Sequence, residues 1–211
     1  MTNEITNKSP IKTIARRFRG FYPIVIDVET GGLNPISDAL LEIAALPLEM
    51  QDNGTLVPGE LKHFHVIPFE GSNISKDSLE INQIDPTHPF RFAVTELDAL
   101  QELFSFVEDL RKKAHCTRCV LVGHNSWFDL HFLNSAIKRC NLKSPFHAFT
   151  SFDTATLSAI FYGQTALAQA ARRAKISFDP KQHHSAIYDA EKTAELFCKI
   201  ANSWLQMSSR F

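Results

Sequence analysis

Apolar residues along the chain fall into two rhythms. Ile24-Val25-Ile26 is a continuous β-branched run between Pro23 and the Gly31-Gly32 pair, the pattern of a strand buried on both faces. Leu40 to Leu48 fits either a helix or a strand by spacing, but Pro47 and the turn at Gly54 favour a strand. Leu61 to Ile67 reads as the next strand, which makes the first third a β-meander. The rhythm then changes. Leu97, Leu100, Leu103, Phe104, Val107 and Leu110 recur at helical spacing behind Thr95, a good N-cap. Cys119 to Val122 is a second buried strand, followed by a helix from Trp127 to about Cys140. Helices are also expected at 153–162, 165–174 and 185–206, the last turning Ala186, Ala190, Ala194, Phe197 and Ile200 inward. Strands that give way to strand–helix alternation predict an α/β domain, a mixed central β-sheet flanked by helices.

Composition agrees with one sizeable core: 44% of the residues are hydrophobic and 17 are Phe. Residues 1–15 read as a flexible tail and 16–211 as a single domain. No apolar run approaches the ~18–20 residues of a membrane span, and the polar N-terminus lacks the apolar segment of a secretory signal, so a cytoplasmic location is expected. Four cysteines do not make a disulfide scaffold in a chain of this length. Cys116-x-x-Cys119 has no second pair at zinc-finger spacing, and reads as a helix end followed by a strand start. The net charge of −1 selects no partner. Basic residues do cluster, at Arg16, Arg17 and Arg19, at Arg111, Lys112, Lys113 and Arg118, and at Lys138, Arg139 and Lys143. Such runs suit a solvated face as well as a phosphate backbone.

The chemistry lies in the acidic residues. Asp27 and Glu29 follow the first apolar run two residues apart, so on a strand both carboxylates leave one face. They do so at the carboxyl end of a buried strand, where open α/β sheets bind ligands. Two like charges side by side are costly unless a cation neutralises them, and hard oxygen ligands suit magnesium or manganese. The second strand ends in Gly123-His124-Asn125, with Asp129 on the first turn of the next helix; alone, it reads equally well as a group complementing the helix dipole. His184 and Asp189 flank the start of the last helix, where Ser185 is a candidate cap. Carboxylates at three separate strand or helix ends, together with a His, form the set that metal-assisted hydrolysis needs.

Asp27-Val28-Glu29-Thr30, His124-Asn125-x-x-Phe128-Asp129 and His184-x-Ala186-x-x-Asp189 match, in order and spacing, the three motifs of the DEDDh 3′→5′ exonucleases. Counting from His183 would put Ser185 where the motif has Ala, and Ser185 also stands where the Tyr-type branch has Tyr. Within that superfamily the chain resembles the ribonuclease T family from about Arg17 to Trp204, through Arg17–Pro23, His63-Phe64-His65-Val66, Pro145-Phe146-His147, Phe152-Asp153-Thr154-Ala155 and Gly163-Gln164-Thr165. The resemblance implies an RNase H-like exonuclease fold. It implies two magnesium ions, with manganese as a substitute: Asp27, Glu29 and Asp189 on one, Asp27 bridging to the second, Asp129 acting there through water, and His184 as general base.

It further implies trimming of the 3′ ends of tRNA and other stable RNAs, with single-stranded DNA as a further substrate, by a homodimer. Arg17, Arg19, Lys112, Arg118 and Lys143 match its nucleic-acid backbone positions, and Phe128, Phe149, Leu33 and Ile81 its stacking positions, the last two with aliphatic residues. The competing readings are a DNA proofreading or repair exonuclease of the same superfamily, and a non-catalytic nucleic-acid-binding module.

Overall fold

The computed structural model describes residues 13–208. Its first long strand, β1 (Phe21–Thr30), carries the Ile24-Val25-Ile26 run, in which all three side chains are fully buried. Consecutive strand residues point to opposite faces, so the sheet must be covered on both. Antiparallel to β1 lies β2 (Leu40–Met50), whose first nine residues are buried throughout. The strand alternative for this segment is therefore the realised one. β2 in turn pairs with β3 (Leu56–Pro58) and β4 (Lys62–His65), both antiparallel. On its other side β1 pairs in parallel with β5 (Arg118–Gly123), and β5 in parallel with β6 (Phe146–Asp153). The sheet order is β3-β2-β1-β5-β6, with β4 also on β2.

The helices are α1 (Ile14–Arg17), α2 (Lys76–Asn82), α3 (Glu96–Lys113), α4 (Trp127–Arg139), α5 (Thr154–Tyr162), α6 (Leu167–Arg173) and α7 (Ala186–Ser208). α7 packs on β1, β2 and β3 through Ala186, Ala190, Ala194 and Phe197, while α3 and α4 contact the sheet elsewhere. Thr95 caps α3 through a 3.1 Å bond from the Asp98 amide. Among the described residues no helix is long and apolar enough to cross a membrane.

Several expectations shift. The tail expected at 1–15 lies mostly outside the described residues, but Ile14 is buried in the core, so the ordered fold begins before residue 16. Leu61–Ile67 contracts to β4. The helix expected from 153 starts at Thr154, because Asp153 is its cap, accepting from the Thr156 amide at 3.0 Å. Cys116 lies beyond the end of α3 rather than at it. Four elements, α1, β3, β6 and α2, are not among those expected from the sequence. α2 buries only Asn82, and β6 buries only Phe146, so neither carries a hydrophobic period.

Candidate active site

Asp27 and Glu29 leave one face near the carboxyl end of β1. Gly123 closes β5 beside them. A Cβ there would meet the Ser126 Cα at 3.0 Å and the Asp129 Oδ2 at 3.1 Å, so the missing side chain is what lets the first turn of α4 come in. Asp129 then accepts a 3.1 Å bond from the Val28 amide, which locks it between the two β1 carboxylates. The turn into α4 is held by Asp153, which accepts from the Asn125 and Ser126 amides at 2.8 and 3.2 Å. His124 is spent on structure, with Thr154 Oγ1 at 2.9 Å and the Thr165 carbonyl at 2.6 Å.

Asp189, on the first turn of α7, completes the set. Oxygens of Asp27, Glu29 and Asp189 lie within 4.8 Å of one another. Glu29, Asp129 and Asp189 are all buried, and among the described residues no Lys or Arg pairs with any of the four carboxylates. Burial is the main reason that Asp27 is held well above the usual carboxylate range, followed by the charges of Asp129, Asp189 and Glu29. Burial, then Asp189, Glu42 and Asp129, pushes Glu29 up to about 8 against a weak opposing bond from Asn82. Burial also raises Asp129. A protein does not leave such a group uncompensated without reason. Four converging carboxylates with all-oxygen donors fit small hard divalent cations, so the residues present suit the implied magnesium or manganese.

His184 stands exposed at the rim. Its φ of +68° is left-handed, an uncommon conformation for a non-glycine residue, held by the bond from its amide to Asp189 Oδ2 at 3.0 Å. Burial and then His183 lower its pKa against the pull of Asp189, which favours the neutral imidazole. His183, set aside on motif spacing, has a structural part: its Nδ1 lies 2.9 and 2.8 Å from the two Asp189 oxygens and its ring stacks on His184 at 3.8 Å. A carboxylate oxygen has more than one acceptor position, so this contact does not exhaust Asp189.

The four carboxylates and His184 line one open cleft of about 280 Å³ with Leu33, Ile81, Asn82 and Phe128. Asn82, which donates to the Thr30 carbonyl at 3.2 Å, arrives on α2 and went unseen in the sequence along with that helix. Phe149 is brought to a different place: it is exposed on β6, edge-on to His147, and is not part of the cleft lining.

The basic residues also divide. Arg17 is committed to internal carbonyls, Gly54 and Ala201, each at 2.6 Å, so its guanidinium ties α1 to α7 and is not a free phosphate contact. Arg19 is exposed over the Phe21 ring. Arg118 and Lys143 line a cavity of about 420 Å³ with Arg111 and Glu108, and Lys112 lies 4.0 Å from Glu108. Arg118 pairs with Phe21, at the opposite end of β1 from Asp27 and so roughly 20 Å away at strand rise.

Known proteins resemble this chain in sequence and in fold. The exonuclease family model RNase_T matches residues 24–197. Ribonuclease T of Vibrio vulnificus strain YJ016 is 52% identical over 202 residues, covering 95% of this chain and 93% of that protein. Ribonuclease T of Shewanella denitrificans is 54% identical over 189 residues, covering 89% and 84%. Among solved structures, E. coli exonuclease I in complex with a dT13 oligonucleotide aligns with a TM-score of 0.68 at 15% identity, over 90% of this chain and 43% of that one. A full-length 3′-exonuclease aligns with a TM-score of 0.69 at 18% identity, over 87% and 83%. These two likenesses establish the RNase H-like exonuclease fold. By the match over residues 24–197 and half-identity across almost the whole chain, this protein belongs to the ribonuclease T family of DEDDh exonucleases.

Proposed function

We propose that the enzyme is a 3′→5′ exoribonuclease that trims tRNA and other stable RNAs in the cytoplasm and also accepts single-stranded DNA 3′ ends. The observation that carries this reading is the cluster of four carboxylates that has no Lys or Arg partner among the described residues and lines an open cleft, with a neutral-leaning His at its rim.

In this reading Asp27, Glu29 and Asp189 would hold one divalent ion, and Asp27 and Asp129 would serve a second. Two such ions supply activation of a water and stabilisation of the leaving oxygen in an in-line displacement. His184, largely neutral near pH 7, accepts the proton of the attacking water. The Val28–Asp129 bond and the Gly123 close approach keep the carboxylates oriented through the reaction. Phe128, with Leu33 and Ile81, packs the terminal bases.

The basic cavity of Arg118 and Lys143 supports a homodimer. It lies too far from the carboxylates of its own chain to steer a 3′ end into them, and a second copy turns that distance into a feature. Sedimentation at micromolar concentration tests this, with a mass near 24 kDa counting against the dimer. Rates on RNA and DNA 3′ ends, with magnesium and with chelator, test the activity. Chelator-sensitive removal of RNA 3′ nucleotides is expected. Preference for DNA favours the proofreading or repair reading, and binding without turnover favours a non-catalytic module.

A further inference from the structure

Trp127 opens α4 and is 60% exposed. Indole is a large apolar surface to leave in water, and Trp is ordinarily well buried on average. Its ring meets Phe128 at 5.8 Å and 89°, and His131 at 5.9 Å and 73°. Near-perpendicular contacts do not cover an indole face as a stacked ring does. Phe128 in turn lies 4.9 Å from the fully buried Phe132 and forms part of the cleft wall beside Asp129. An aromatic row therefore runs from the core, along the wall, to the rim, and Trp127 is its outer end, beyond the cleft lining itself.

Charge points the same way. Between Asn125 and Lys138 the single acidic residue is Asp129, which is buried toward the cleft. Within that stretch Asn125 and His131 are exposed beside Trp127, and the stretch itself adds no exposed carboxylate that would repel a phosphate chain. Aromatic faces accept any base, so such a position grips single-stranded nucleic acid without reading its sequence.

We propose that Trp127 is a stacking platform for the base that follows, on the 5′ side, those held in the cleft, so that it sets affinity for longer single-stranded RNA. This inference rests on the exonuclease reading above, and its test separates the two. The chain has two Trp, and Trp204 lies near the far end of α7, so Trp204→Phe leaves Trp127 as the sole indole reporter. Titrating the His184→Ala/Trp204→Phe protein with a ten-nucleotide RNA in magnesium should quench its fluorescence, whereas a dinucleotide should not.

In the otherwise wild-type enzyme, Trp127→Ala should raise KM for the ten-nucleotide RNA by about 5- to 150-fold, the range for losing one stacked base. It should leave kcat within about twofold and the dinucleotide KM unchanged, and Trp127→Phe should restore most of the affinity. An unchanged KM in Trp127→Ala with no quenching overturns the platform. So does a change in sedimentation mass on that substitution, which would make Trp127 a contact with a second copy. Because quenching reads binding without turnover, a wild-type protein that quenches but does not hydrolyse overturns the exonuclease reading and still supports the platform.

Discussion

Glu29 and Glu42 lie opposite each other across the β1–β2 ladder, both less than a tenth exposed, and the protein treats them in opposite ways. Like charges directly opposite on a sheet repel. Glu42 is answered from within: His63 Nε2 lies 3.4 Å and His65 Nδ1 2.9 Å from its oxygens, with the Arg91 charge nearby. Burial pushes its carboxyl up, but the His63 bond and the charges of His63, His65 and Arg91 outweigh burial and leave it below the usual range. Among the described residues Glu29 has only Asn82 to favour its charged form, and rises to about 8 among Asp189, Glu42 and Asp129. The contrast separates a carboxylate balanced by its own neighbouring bases from a cluster with no Lys or Arg partner among the described residues. An acidic residue opposite another is therefore no guide to function until its cationic partners have been counted.

The largest effects should come from the unfinished cluster. Asp27→Ala removes a carboxylate that would serve both proposed ions and should cut kcat by about 10³-fold or more, as loss of a central catalytic group does. His184→Ala should cost about 10²–10⁴-fold, the usual contribution of a general base, with substrate affinity kept. Single-turnover rates and binding isotherms check both. Wild-type turnover by His184→Ala at neutral pH would remove His184 from the mechanism.

The two glutamates can be set against each other directly. Glu42→Gln leaves His63, His65 and Arg91 without their anion and should destabilise the fold by about 1–3 kcal/mol, with the activity per folded molecule largely retained. Glu29→Gln should do the reverse, abolishing turnover while the chelated protein melts no lower than wild type, because a buried carboxyl that must take up a proton on folding has gone. Equal losses of stability in the two variants would erase the distinction.

The same contrast predicts a pH dependence. Glu29 is raised, so between its ordinary range and about pH 8 the folded protein binds more protons than the unfolded chain, and stability falls as pH rises through that window. The lowered His184 has the opposite slope, confined to pH values around and below its ordinary 6.5, so the window from pH 7 upward is the clean one. Glu29 alone should lower the melting temperature of chelated protein by about 2–5 °C between pH 7 and 8.5. Saturating magnesium replaces those protons and should flatten the slope, raising the midpoint most at high pH. A chelated protein whose midpoint is level across the window would mean that the carboxylates find other partners in solution.

Much of the site was legible because its residues sit where chain periodicity changes. Asp27 and Glu29 end an apolar strand, and Asp129 and Asp189 open helices, so spacing alone put all four at element ends. What escaped had no periodic signature. α2 is seven residues long with one buried side chain, yet it brings Ile81 and Asn82 to the cleft. Asp153 looked like one more residue of a matching stretch, although it holds the turn that delivers Asp129. Arg17 shows the converse failure. A basic residue in a basic cluster reads as a phosphate contact, and only the three-dimensional structure reveals that both Arg17 Nη atoms donate to internal carbonyls, those of Gly54 and Ala201.

The smallest predicted effect concerns the terminal base. Leu33 is 82% and Ile81 57% exposed, and both line the cleft with Phe128, so the wall around a base is aromatic on one part and aliphatic elsewhere. An aliphatic side chain packs against a base but has no π-face, and stacking strength is what separates one base from another on such a surface. The wild-type enzyme should therefore discriminate among 3′-terminal bases by only a few-fold. Leu33→Phe and Ile81→Phe should lower KM and widen that spread, by up to about 5- to 150-fold if a full stack forms. Phe128→Ala should weaken binding more than Phe149→Ala, since Phe149 lies outside the cleft lining. Rates on oligonucleotides that differ only in their last two bases measure all of these. Strong rejection of a terminal C by the wild-type enzyme, together with an unaffected Phe128→Ala variant, would place the stacking wall elsewhere on the molecule.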